Sequence, residues 1–172
     1  MTAPVGLFYG SSTCYTEIAA EKIAAILGSE IVDIFNLADT PVSTMNEYRF
    51  LILGIPTWDY GELQEDWENC WDELDSLDFS KSTVAIYGLG DQQGYPEWFQ
   101  DAMGYLWAKV RNQGASTIGL WPVDDYTFEQ SKALTDDGQY FVGLALDEDS
   151  QFEQSEARIN EWCEQIKREF GL

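Results

Sequence analysis

Three short segments carry side chains that could hold a ligand and tune it. The first, Gly10-Ser11-Ser12-Thr13-Cys14-Tyr15-Thr16-Glu17, places four Ser/Thr hydroxyls directly before an expected helix. Backbone N–H groups at a helix start carry partial positive charge, and hydroxyls can each donate a further bond, so this combination cradles an anion such as a phosphate. A lone cluster of this kind also serves as plain helix capping. No Gly-Lys-Thr/Ser follows, which excludes a Walker A loop, and the residue six positions after Cys14 is Ala20, which excludes a C-x5-R phosphatase loop. The second segment, Pro56-Thr57-Trp58-Asp59-Tyr60-Gly61-Glu62, sets a Trp on a loop leaving the core, where packing alone does not require one. The third, Gly88-Leu89-Gly90-Asp91-Gln92-Gln93-Gly94-Tyr95, misses G-x-G-x-x-G by one residue and follows the wrong strand for a dinucleotide fingerprint. Its glycines would let backbone approach a flat ligand, with Trp58 and Tyr95 stacked on the two faces at roughly 0.5–1.5 kcal/mol each beyond area burial. Either aromatic alone reads equally well as a half-exposed packing residue.

The same residue inventory removes other chemistries. Histidine is absent, so no Ser-His-Asp triad, Cys-His pair or histidine-ligated zinc site can be built. Cys14, Cys70 and Cys163 form no C-x-x-C and are odd in number, which fits free thiols in a reducing compartment such as the cytoplasm. Lys+Arg of 9 against Asp+Glu of 31 gives a net charge of −22, which repels nucleic acid and anionic membranes and favours a basic partner. With 45% apolar and 15% aromatic residues the chain nevertheless has a folding composition. The N-terminus lacks a basic signal-peptide region, and the longest apolar runs are far below membrane-spanning length.

The elements that must position the three loops follow from periodicity. Apolar runs at Val5-Tyr9, Ile31-Ile34, Phe50-Ile55, Val84-Tyr87, Thr117-Leu120 and Phe141-Ala145 read as strands buried on both faces. Helical stripes alternate with them: Ile18, Ala19, Ile23, Ile26 and Leu27; then Leu63, Trp67, Cys70, Trp71 and Leu74; then Phe99, Ala102, Met103, Leu106 and Val110; finally Ile159, Trp162, Cys163, Ile166 and Phe170. Repeated β-α units predict an α/β fold, one domain over residues 1–172 with a doubly wound five-stranded parallel sheet. The polar stretch 121–140, which holds Pro122, reads as an insertion that splits the last strand. In such sheets ligands bind outside the carboxyl ends of the strands, where these three loops lie.

Taken together the loops resemble those of the flavodoxin family, and the resemblance runs from Val5 to Leu172. The family's phosphate loop appears as Ser11-Ser12-Thr13-Cys14-Tyr15-Thr16, with Cys14-Tyr15 where the family usually has Gly and a polar residue. Its first flavin-flanking loop appears as Pro56-Thr57-Trp58-Asp59-Tyr60-Gly61-Glu62, and its second as Gly88-Leu89-Gly90-Asp91-Gln92-Gln93-Gly94-Tyr95. The 121–140 segment resembles the insertion of long-chain flavodoxins, and the Ser-Thr-Cys-Tyr-Thr spelling resembles a second flavodoxin paralogue of some bacteria. The resemblance implies FMN, with Ser11 to Thr16 on its phosphate, Asp147 on a ribityl hydroxyl, and Gly90, Asp91 and Gln100 at the polar edge of the flavin. Trp58 and Tyr95 would flank the ring, and Pro56, Thr57, Asp59, Gly61, Leu89 and Phe99 would complete the contacts. It implies a monomeric one-electron carrier, not an enzyme, that shuttles between a ferredoxin/flavodoxin-type NADP reductase and acceptor enzymes. The alternative is an FMN-dependent quinone reductase on the same fold, which needs a substrate pocket over one flavin face that Trp58 and Tyr95 would instead cover.

Residues 62–78 contain eight acids and no base. Such a run is usually a solvated face, but this one begins at a flavin-flanking loop. At 10 Å and an effective dielectric of about 20, one carboxylate opposes a new negative charge by roughly 1.7 kcal/mol before screening, enough to lower a redox potential. Glu62, Glu65, Asp66 and Glu68 are accordingly expected to form an acidic face for redox partners.

Overall fold

The central strands form because their residues are apolar on both faces and have layers to bury against on either side. The structure is a computed structural model that describes residues 2–172. Strand β1 (Val5–Tyr9) pairs in parallel with β2 (Val32–Asn36) on one side and with β3 (Phe50–Trp58) on the other. Strand β3 then pairs with β5 (Thr83–Leu89), and a two-residue strand β4 (Glu62–Leu63) folds back antiparallel on the end of β3. Both β6 (Ser116–Ile118) and β9 (Leu144–Leu146) pair in parallel with β5, along successive stretches of it. The last strand of the sheet is therefore split, as the sequence predicts. The order β2-β1-β3-β5-β6 reverses direction between β1 and β3, which fixes the switch point at their carboxyl ends.

Helices α1 (Tyr15–Leu27) and α4 (Ser155–Phe170) pack together, while α3 (Asp101–Asn112) packs on β3 and β5. Phe8, Leu51, Leu53, Ile55, Val84 and Tyr87 are closed to solvent in the middle of the sheet. The α4 stripe of Ile159, Trp162, Cys163, Ile166 and Phe170 is buried as expected. In α1 the buried face differs from expectation. Ala19, Ala20, Ile23, Ala24 and Leu27 turn inward, whereas Ile18 and Ile26 are each 42% exposed, because the small alanines let the helix lie close to the sheet and α4.

The second helix is also shorter than its apolar stripe. Leu63 belongs to β4, α2 spans only Glu65–Cys70, and the chain then tightens into a 3-10 turn over Asp72–Ser76. Asp72 and Glu73 fall at the negative end of the α2 dipole with no base there, which opposes further α-helix. Trp67 and Leu74 are still buried, so the core contact survives the change of helix type.

The insertion contains a small antiparallel pair, β7 (Trp121–Pro122) with β8 (Tyr140–Phe141). An aromatic cluster seats it: the Phe99 ring lies 5.5 Å from Phe128, 5.6 Å from Phe141 and 5.8 Å from Tyr126. Among the described residues no helix is long and apolar enough to cross a membrane.

Candidate functional site

At the switch point the chain ends of β1, β3, β5 and β9 leave a cleft of about 280 Å3. Thr13, Tyr15 and Thr16 line it from the β1–α1 loop, and Pro56, Thr57, Trp58 and Asp59 from the end of β3. Leu89, Gly90, Asp91 and Tyr95 come from the segment after β5, and Glu148 and Asp149 from the segment after β9. The three loops singled out by sequence therefore meet in one place, joined by two acids that sequence reasoning did not single out.

Local structure explains how the hydroxyl loop is held. Cys14 is the residue before α1 and takes a left-handed conformation (φ 71°), so the chain turns sharply into the helix with no side chain capping it. Buried Tyr87 reaches from β5 to donate its hydroxyl to the Thr16 carbonyl at 2.8 Å. Gln64 does more. Its Oε1 accepts from the backbone N–H groups of Asp66 and Trp67, capping α2, while its Nε2 donates to Ser12 Oγ at 3.1 Å. Gly10 makes this possible, since a Cβ there would collide with Gln64 Oε1 and the Trp67 ring. Gln64 is rare as a helix cap, and this tie between the hydroxyl loop and α2 left no mark in the sequence motif.

The Trp58 loop also differs in detail from expectation. Trp58 is the last residue of β3, held opposite Glu62 by the β4 pairing, and not on a free loop. Asp59 is left-handed (φ 42°) and fully outside the core, and Tyr95 donates to its Oδ1 at 3.4 Å. That carboxylate is the main reason the Tyr95 phenol is raised above its ordinary pKa. Gly61 (φ 85°) is where the turn needs glycine: a Cβ would lie 2.9 Å from Asp101 Oδ2.

Seven expected contact residues lie outside the cleft lining: Ser11, Ser12 and Cys14 in the hydroxyl loop, and Phe99, Gln100, Asp147 and Gly61. Phe99 is the centre of the aromatic cluster under the insertion. Gln100, left-handed and closed to solvent, donates Nε2 to the Leu146 carbonyl at 3.0 Å. Asp147 is closed to solvent, with Oδ2 accepting from the backbone and side-chain N–H of Gln92 and Oδ1 from Ser150 N–H, so it braces the loops around the cleft. Gly61 is buried behind the turn and borders a neighbouring hollow instead. The glycines after β5 also serve the protein itself: a Cβ at Gly88 would strike Gln100 Oε1, and one at Gly90 would lie 3.1 Å from the Phe99 ring. Both glycines thus admit that pair beneath the loop.

Electrostatically the cleft is acidic on one side. Burial, reinforced by Asp91 and Asp147, raises the Asp149 carboxyl above the ordinary carboxylate range. On the other side two polar atoms are buried without any partner, Ser11 Oγ under the hydroxyl loop and Trp58 Nε1 at the aromatic wall. A buried polar atom without a hydrogen bond is costly, so each has an unused bond to offer a bound group. Hydroxyls at a helix start, aromatic walls and these two orphaned atoms fit a planar heterocycle carrying a phosphate, such as FMN.

A doubly wound sheet with such a cleft at its switch point defines a nucleotide-binding α/β protein of the flavodoxin-like class. The family model for flavodoxin matches residues 7–162. The chain is 56% identical over 167 residues to Flavodoxin 2 of Escherichia coli (strain K12), covering 97% of this chain and 96% of that one. It is 47% identical over 172 residues to a flavodoxin of Nostoc sp. (strain PCC 7120 / SAG 25.82 / UTEX 2576), covering 100% of both. Fusobacterium nucleatum flavodoxin bound to flavin mononucleotide superposes with a TM-score of 0.90 at 31% identity, covering 96% of this chain and 97% of that chain. The chain belongs to the flavodoxin family. Its function is FMN-based electron transfer between reductases and acceptors, and it is not an enzyme.

Proposed function

We propose that the cleft holds FMN non-covalently, with the phosphate on the Ser11–Thr16 loop and the ring between Trp58 and Tyr95, and that the acidic side of the molecule presents it to redox partners. The observation that carries the reading is Ser11 Oγ, buried and unpartnered among hydroxyls at the start of α1. FMN, when bound, supplies one-electron redox chemistry. The chain does the rest. Hydroxyls and helix N–H groups neutralise the phosphate dianion in place of a Lys or Arg, which the loop lacks. The Trp58 and Tyr95 side chains exclude water from the ring and orient it. Asp59, Asp91, Glu148 and Asp149 line the cleft as carboxylates and oppose added negative charge there, which lowers the potential. Asp147, Gln100 and Phe99 act from behind by fixing the loops.

Glu62, Glu65 and Glu68 are exposed beside the Trp58 turn, with Asp66 partly so, and this face suits the basic surface of a ferredoxin/flavodoxin-type NADP reductase and of acceptor enzymes. Cys14, Cys70 and Cys163 are all free thiols, which supports work in the reducing cytoplasm. The test of the cofactor site is FMN affinity after Trp58→Ala or Tyr95→Ala, read by recovery of flavin fluorescence. Each should weaken binding roughly 10-fold or more, from about 1.4 kcal/mol of lost stacking and burial. Unchanged affinity in both would place the ring elsewhere.

A further inference from the structure

A second hollow of about 630 Å3 lies between the α2 region and α3, bordered by Gly61 and Glu62 of the turn that follows the cleft-lining Asp59. Trp71 and Tyr105 give it aromatic walls, and Glu62, Glu68 and Asp75 give it three exposed carboxylates. Lys109 is the only base lining it. Its Nζ sits 4.8 Å over the Trp71 ring and 2.9 Å from Asp75 Oδ1, with the side chain only 14% exposed. This is the sole salt bridge among the described residues, and it neutralises one of the three carboxylates.

The groove thus already holds a cation between an indole face and a carboxylate, with two more carboxylates left over. We propose that it is the seat for a cationic side chain of the reductase that donates electrons to this protein, with Trp71 as the stacking face and Glu62 and Glu68 as the charge partners. The inference rests on the acidic-face reading above and turns a diffuse charge into one anchor beside the cofactor cleft. Arginine suits it best, because a planar guanidinium stacks on an aromatic face and bonds a carboxylate through two N–H groups. A second copy of this chain is a poor occupant: at a net charge of −22 each, two copies repel. Lys109 competes with the incoming cation, so the resident lysine limits the affinity of the seat.

The experiment is stopped-flow reduction of the FMN-loaded protein by a ferredoxin/flavodoxin-type NADP reductase at low salt. Lys109→Met keeps the aliphatic stem while removing the resident charge from Asp75 and from the Trp71 face. Lys81→Met makes the same charge change in a hollow at the opposite end of the sheet, beside Thr83 and Ser116. The second-order rate constant should rise about threefold more in Lys109→Met than in Lys81→Met, the worth of one exposed cation–π contact. Trp71→Leu should lower it by about the same factor at constant charge, with FMN content unchanged. A Lys109→Met protein no faster than Lys81→Met overturns the seat, as does a Trp71→Leu protein that matches wild type. A wild-type protein that the reductase does not reduce overturns the acidic-face reading itself.

Discussion

Asp101 shows how a single side chain is set by its surroundings. It is 1% exposed at the start of α3, where its Oδ1 accepts the Lys132 N–H at 2.8 Å, yet burial still raises its carboxyl above the ordinary range. Between the unfolded value of 3.8 and the higher folded value, the folded protein holds a proton that the unfolded chain has lost. Stability from this group therefore falls as pH rises through that window, and the loss is complete above the folded pKa. Asp101→Asn, which retains the acceptor for Lys132, should stabilise the apo-protein relative to wild type at pH 7 and lose that advantage below pH 3.8. Urea unfolding at the two pH values measures this, and a difference that does not change with pH would contradict it.

At the scale of elements, the tie between the β1–α1 loop and α2 matters most to the site. Gln64 caps α2 and holds Ser12 at the same time, so Gln64→Ala should cost about 1 kcal/mol of stability for the cap and also weaken FMN binding. Chemical unfolding and flavin titration read the two effects separately; an intact FMN affinity would mean that the hydroxyl loop stands without α2. This link was hidden in the sequence because it joins residues 52 positions apart through a residue type with little capping preference. The alternation of strands and helices was legible, since both-face burial and helical stripes impose different periods. The end of α2 was not, because the apolar stripe continues through Leu74 while the acids decide the helix type. Ile18 and Ile26 misled for a related reason: periodicity marks where an apolar face can be, and close packing on alanines decides which part of it is used. At the site, the loop residues were legible through side-chain chemistry. Phe99, Gln100 and Asp147 lie outside the three motifs and were expected at the ligand only from the family resemblance; their bracing of the loops depends on partners distant in sequence, which motif spacing does not show.

On the scale of the whole molecule, 31 acids against 9 bases make encounter with a partner electrostatic. Reduction by the reductase should slow as salt rises, because the attraction is screened within about 8 Å at physiological ionic strength. Replacing Glu65, Asp66 and Glu68 by Gln, Asn and Gln should lower both the low-salt rate and its salt sensitivity. Wild type and variant falling on one salt curve would make that face a solvated surface only. The account as a whole depends on one assignment, that the hydroxyl loop at the switch point holds the phosphate of FMN. Fluorescence titration of the apo-protein with FMN and with riboflavin tests it directly. Two hydrogen bonds to a charged group are worth roughly 3 kcal/mol or more, so FMN should bind with one-to-one stoichiometry at least about 100-fold more tightly than riboflavin. Equal affinity for the two flavins would contradict the assignment, since the loop would then be holding nothing that riboflavin lacks.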